Sequence, residues 1–112
     1  MNTLNNHVQL IGRLGNTPEI NTFGENKKKA SVSIATHYYY QDKEGNKQET
    51  TTWHQLVAWG TTANYFEKYL KKGQRIMIEG RLNNRSWEDK EGVKRYITEV
   101  DVQNVLSIGS TE

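Results

Sequence analysis

The sequence predicts an all-β domain, a five-stranded Greek-key barrel of the OB-fold type with one short helix between strands three and four. Three observations carry this. Long segments alternate apolar and polar residues with the two-residue period of a half-buried strand. One stretch, Thr61 to Leu70, changes to helical spacing, with Ala63, Phe66 and Leu70 on one side and Tyr65 four residues before Tyr69. The helix falls between the third and fourth long strands, and fewer of the other small barrels place it there.

His7 to Leu14 reads as the first strand, with Val8, Leu10 and Leu14 on one face and Gly12 marking a bulge or a barrel corner. Gly15-Asn16-Thr17-Pro18 is a turn. Glu19 to Phe23 is a candidate short strand, and Gly24 to Lys29 a basic loop. The lysines Lys27, Lys28 and Lys29 suit either a solvated tip or a phosphate clamp. Ala30 to Tyr40 is the second long strand, with Val32 and Ile34 inward. Gln41 to Gln48 is polar, contains Gly45, and forms a hairpin tip. Thr50 to Trp59 is the third long strand, with Leu56 and Ala58 toward the core and Trp53, Gln55, Val57 and Trp59 on the opposite face. Thr61 or Thr62 caps the helix, and Lys71, Lys72 and Gly73 stop it. Arg75 to Leu82 returns to period two, with Ile76, Ile78 and Leu82 inward. Glu88 to Gly92 is a second hairpin tip. Val93 to Leu106 is the last strand, with Tyr96, Val100 and Val102 on one face, and the chain ends in small polar residues. There is no repeat and no linker, so residues 1–112 are expected to form one domain.

Composition narrows the function. A chain of 112 residues that is 34% hydrophobic and 25% charged supports one modest core under a large solvated surface. Three tryptophans, six tyrosines and two phenylalanines argue against disorder. Absence of cysteine suits a reducing compartment. No apolar signal region or long apolar run occurs, so neither export nor membrane association is expected. Histidines and carboxylates lack ligand-like spacing, and no phosphate-loop, dinucleotide or nucleophile-elbow motif is present. No metal, no cofactor and no catalysis are therefore expected. The net charge is only +2, but Lys68 to Arg85 holds six cations against one anion, Glu79, and this stretch adjoins Trp87.

A sheet face with two large flat rings and cations nearby suits nucleobase stacking, since binders of single strands need aromatic platforms under the bases and positive charge along the phosphates. In Tyr38-Tyr39-Tyr40 the faces alternate, so Tyr38 and Tyr40 act together while Tyr39 packs or covers the rim. His54 lies opposite the tryptophans and reads as structural. Aromatic faces also stack on sugars, so an oligosaccharide-binding β domain stays open, as does an OB module for RNA or for primosome assembly.

The runs Val8–Gly15 with Pro18-Glu19, Ser33–Thr36, Thr52–His54, Tyr69–Gly73, Ile78–Leu82, Arg85–Trp87 and Tyr96–Val100 resemble the bacterial single-stranded DNA-binding protein family, in order and nearly without gaps over residues 4 to 106. The resemblance implies an OB-fold subunit of a cytoplasmic, nucleoid-associated homotetramer that wraps single-stranded DNA in replication, recombination and repair. The family's stacking aromatics fall on Tyr40, Trp53, Trp59 and Trp87. Its basic contacts fall on Lys43, Lys71, Lys72 and Arg85, with Arg13, Lys28 and Arg81 as weaker candidates. His54 matches a family histidine near the subunit interface. Pairing of the N-terminal strand across a two-fold axis is also implied. Gln55 and Thr61 stand where relatives often carry a cation, and Thr3 lacks a basic start, which implies a smaller electrostatic contribution. The flexible linker and acidic tip that recruit replication and repair proteins have no counterpart before Glu112.

Overall fold

Two long antiparallel ribbons and one short helix account for most of the computed structural model. It describes residues 4–25 and 27–109; Thr3, Asn26 of the expected basic loop and the polar end at 110–112 lie outside the described residues. The elements are β1 (Val8–Leu14), β2 (Glu19–Phe23), β3 (Lys27–Gln41), β4 (Lys47–Trp59), α1 (Gly60–Tyr69), β5 (Arg75–Glu88) and β6 (Lys94–Ser107). The strands hydrogen-bond in the order β1-β5-β6-β4-β3-β2, and a further β1–β3 pairing closes the barrel, leaving β2 as an appended edge. All pairs are antiparallel except β4–β6, where Leu56 faces Val100 and Val57 faces Asp101. The expected OB-fold barrel, with its helix after the third long strand, is present.

Gly12 stands where β1 passes from β5 to β3: a Cβ there would run into the Ala35 carbonyl, so only glycine lets the strands close. Inside the barrel, Leu14, Val32, Ile34, Leu56, Ile76, Ile78, Val100 and Val102 meet Ala63, Phe66 and Leu70 of the helical segment. Phe66 is fully buried, and α1 plugs the barrel with Ala63 and Phe66.

Four details differ from the sequence-based expectation. Lys27, Lys28 and Lys29 are not a loop but the start of β3, paired with Phe23, Thr22 and Asn21. β3–β4 and β5–β6 run further than predicted and extend as two-stranded arms, whose polar sequences carry no apolar period to betray them. Leu82, expected inward, is therefore exposed, and so is Tyr96, expected to share a face with Val100 and Val102, both of which are buried. The helix starts at Gly60, with Trp59 at the N-cap position and no side-chain cap, so neither Thr61 nor Thr62 closes its first turn. At both arm tips one aspartate organises the turn. Asp42 Oδ1 accepts from the Glu44 and Asn46 amides at 3.0 and 2.8 Å, and Asp89 Oδ1 accepts from the Glu91 and Val93 amides at 2.9 Å each.

Candidate nucleic-acid interface

Strand register fixes which side chains share a surface. Lys29 faces Trp59, Ser33 faces Gln55, Ala35 faces Trp53 and Tyr39 faces Glu49 across β3–β4. Val57 continues the same row into Asp101 of β6, and Asp101, Glu99, Ile97 and Arg95 face Arg81, Asn83, Arg85 and Trp87 of β5. With two-residue alternation, all these residues lie on one outer face that sweeps across β3, β4, β6 and β5. Trp53, Trp59 and Trp87 are on it, with 58%, 47% and 42% of their surface exposed. Flat rings left this bare in water mark a binding surface.

Each ring has a distinct support. The Trp53 indole lies over Gly15, where a Cβ would overlap its Cζ3 and Cη2 atoms. Trp59 has Lys29 Nζ 5.6 Å from its ring centroid and Phe23, itself half-exposed, at 6.2 Å and 37°. Trp87 has the Arg85 Cζ 5.0 Å from its centroid. That guanidinium donates to Glu99 in turn, Nε to Oε1 at 3.3 Å and Nη2 to Oε2 at 3.2 Å. Arg81 Nε sits 3.6 Å from Asp101 Oδ2, a looser pair.

Tyr40 is on the reverse side of the β3–β4 ribbon, since its register partner is Gln48 and it alternates with Tyr39. There its ring stacks with Tyr38 at 6.1 Å and 24°. Tyr39, expected to pack or to cover the rim, is exposed on the tryptophan side beside His37, ring to ring at 6.5 Å. The Glu49 carboxylate, as hydrogen-bond acceptor and nearby charge, raises the Tyr39 phenol above its ordinary pKa. His37 Nδ1 is 3.1 Å from Thr51 Oγ1. The aromatic surface thus wraps both sides of this arm.

The cations divide into held and unheld groups. Lys71 and Lys72 are exposed in the turn after α1, and that turn is tied to β1 by the Gly73 amide donating to the Leu14 carbonyl at 2.9 Å, one residue from Gly15 under Trp53. Lys43 is exposed at the β3–β4 tip, beyond Tyr40. Arg13 shares the outer face, in a row with Ala35 and Trp53, and donates to the Gly73 carbonyl at 3.1 Å. Lys28 is engaged with Glu67 at 2.6 Å. Lys29, not singled out among the candidate cations, is the lysine of its run that reaches the aromatic face. Only the start of β3 at Lys27 puts it there. His54 is half-buried, with Nε2 2.9 Å from Thr36 Oγ1, on the side opposite Trp53. Among the described residues no group of histidines and carboxylates could hold a metal ion.

Comparison with known proteins adds to this geometry. Residues 5–108 match the family described as the single-strand binding protein family. A Chlorobaculum tepidum protein named single-stranded DNA-binding protein 1 is 43% identical over 108 residues, covering 96% of this chain and 67% of that protein. A Xylella fastidiosa protein of the same name is 42% identical over 108 residues, covering 96% and 79%. Among solved structures, Plasmodium falciparum SSB in complex with ssDNA superposes with a TM-score of 0.84 at 29% identity, covering 93% of this chain and 95% of that one. A deletion variant of the single-stranded DNA binding protein from Thermus aquaticus gives 0.80 at 28% identity, covering 93% and 50%.

Proposed function

The chain belongs to the single-strand binding protein family, and from that premise we propose that it binds single-stranded DNA without regard to sequence, holding it by stacking and charge and catalysing nothing. The observation that carries this is the continuous outer face bearing Trp53, Trp59 and Trp87, each set against a neighbouring group and each still exposed. Bases stack on the three indoles, and Tyr40 takes the strand around the β3–β4 arm. Lys29, Lys71, Lys72 and Lys43 neutralise phosphates. Each stacked base is worth about 1–3 kcal/mol, so the rings supply affinity while remaining indifferent to base identity.

Self-association into a homotetramer completes the reading. β1 pairs with β3 only at Arg13 and Leu14, so the Val8–Gly12 edge away from β5 is open among the described residues, and an open edge invites a second copy. The outer face of β1, β5 and the end of β6 exposes Ile11 and Leu106 beside Met77, a second apolar surface. Among the described residues no helix is long and apolar enough to cross a membrane. The protein then serves the cytoplasmic single strands opened in replication, recombination and repair.

Titration with oligo-dT tests this. Tryptophan fluorescence should be deeply quenched, and affinity should fall steeply as salt rises, since each neutralised phosphate releases counterions. Preference for oligo-U over oligo-dT would move the reading to RNA. Quenching by oligosaccharides without salt dependence would move it to sugars.

A further inference from the structure

Glu99 is the one buried charged side chain among the described residues, at 6% exposure. It lies on the ligand face, beneath the path of a polyanion. A carboxylate in such a place costs folding energy unless it is paired, and it repels phosphate unless its charge is cancelled. Arg85 supplies both remedies. Its planar fork donates from Nε and Nη2 to the two carboxylate oxygens at 3.3 and 3.2 Å, and its Cζ lies 5.0 Å from the centre of the Trp87 ring. Trp87 itself stands on the β5–β6 arm, where one half-exposed arginine is its cation–π support.

We infer that Glu99 is a positioning residue of the DNA-binding face: its buried carboxylate cancels the charge of Arg85 and fixes the guanidinium against Trp87, so the pair presents the indole to a base and leaves phosphate neutralisation to the lysines. This rests on the single-strand reading above and revises the role expected for Arg85, from phosphate clamp to ring support. The lysines fit the complementary role. None of the ion pairs among the described residues involves Lys29, Lys71 or Lys72. A guanidinium suits the ring-support task because its flat, weakly hydrated plane stacks on one side and forks at its edge, which an ammonium cannot do.

The test is the salt dependence of oligo-dT affinity in the full chain. The double variant Arg85→Gln/Glu99→Gln removes both charges and keeps two groups able to hydrogen-bond. Its slope of log affinity against log salt should equal that of the unaltered protein, while affinity falls about two- to fivefold, the worth of one exposed cation–π contact. A slope shallower by about 0.7, one phosphate on a single strand, means Arg85 leaves Glu99 for the DNA and overturns the inference. Arg85→Lys keeps the charge balance and loses the fork, so it should show the unaltered slope with reduced affinity. Full affinity in Arg85→Lys also overturns the inference. Should the double variant fail to fold, as circular dichroism would show, Arg85→Lys alone decides. Failure of the unaltered protein to bind oligo-dT refutes the single-strand reading itself, and that is seen before any variant is made.

Discussion

The Trp53 indole rests on Gly15, with no room between them for a methyl group. The β1–β2 turn is pinned at that point by the Gly15 amide donating to the Ser33 carbonyl at 2.8 Å, so the turn is a fixed bench against which the six-membered part of the ring rests. A residue 58% exposed is thereby oriented without being buried. Gly15→Ala should lift the ring off its bench. Because the indole can swing into solvent, the fold should survive with a small change in melting temperature. Affinity for oligo-dT should fall by about 1 kcal/mol, the low end of one base stack. Equal affinity in the variant would mean the turn does not orient the ring.

Lys29 carries a full positive charge onto the aromatic face, 5.6 Å from the Trp59 centroid. Lys29→Gln should make the salt dependence shallower by about 0.7 in slope, one phosphate fewer. The same experiment on Lys28, whose ammonium is occupied by Glu67, should change the slope by less. Equal effects from both would show that position in the strand register does not decide which lysine meets the strand.

Stability should depend on the helix that plugs the barrel. Phe66 is fully buried among Ile34, Leu56, Leu70, Ile76 and Ile78. Phe66→Ala leaves a cavity closed in by β-sheet, which cannot collapse easily, and should cost about 3–5 kcal/mol in denaturant unfolding. A loss below 1 kcal/mol would mean α1 is a loose cover and no part of the core.

The arm tips should make stability sensitive to acid. Hydrogen bonds hold the Asp42 and Asp89 carboxyls below their ordinary range, the Asn46 backbone amide acting most strongly on the first and the Val93 backbone amide, then the Arg95 guanidinium, on the second. A carboxyl with a lowered folded pKa contributes stability above its unfolded value, near 3.8, and loses it as pH falls from there toward the folded value. Melting temperature measured from pH 6 down to pH 2 should therefore drop below about pH 4. The Asp42→Asn/Asp89→Asn double variant should start lower and drop less. Parallel curves for the two proteins would exclude the tips as the source.

What the sequence made legible was whatever carried a period. The strand cores at Val32 and Ile34, Leu56 and Ala58, and Ile76 and Ile78 alternate cleanly, and all six are buried. The change to helical spacing after Trp59 located α1 within one residue at either end. Polar arms carry no such signal, which hid the outer stretches of β4 and β5, and at the opposite end of β3 the equally polar lysine run hid the strand position of Lys29. Reading Trp53 and Trp59 as face-sharing needed only the parity of β4, and the register agrees. Tyr40 and Trp87 needed the neighbouring strands as well: register joins Trp87 to the tryptophan face through β6 and sends Tyr40 to the back of its arm. Glu99 was invisible because a carboxylate at a strand position looks solvated until its burial and its arginine are seen together.

The claim on which the account rests is that the bare indoles themselves hold the DNA. Its most direct measurement is the oligo-dT affinity of Trp53→Ala/Trp87→Ala, taken beside thermal unfolding. Both rings stand outside the barrel, so unfolding should be unchanged, while binding should weaken by about 2–6 kcal/mol, two stacked bases. A double variant that melts normally and binds oligo-dT as tightly as the unaltered protein would contradict it.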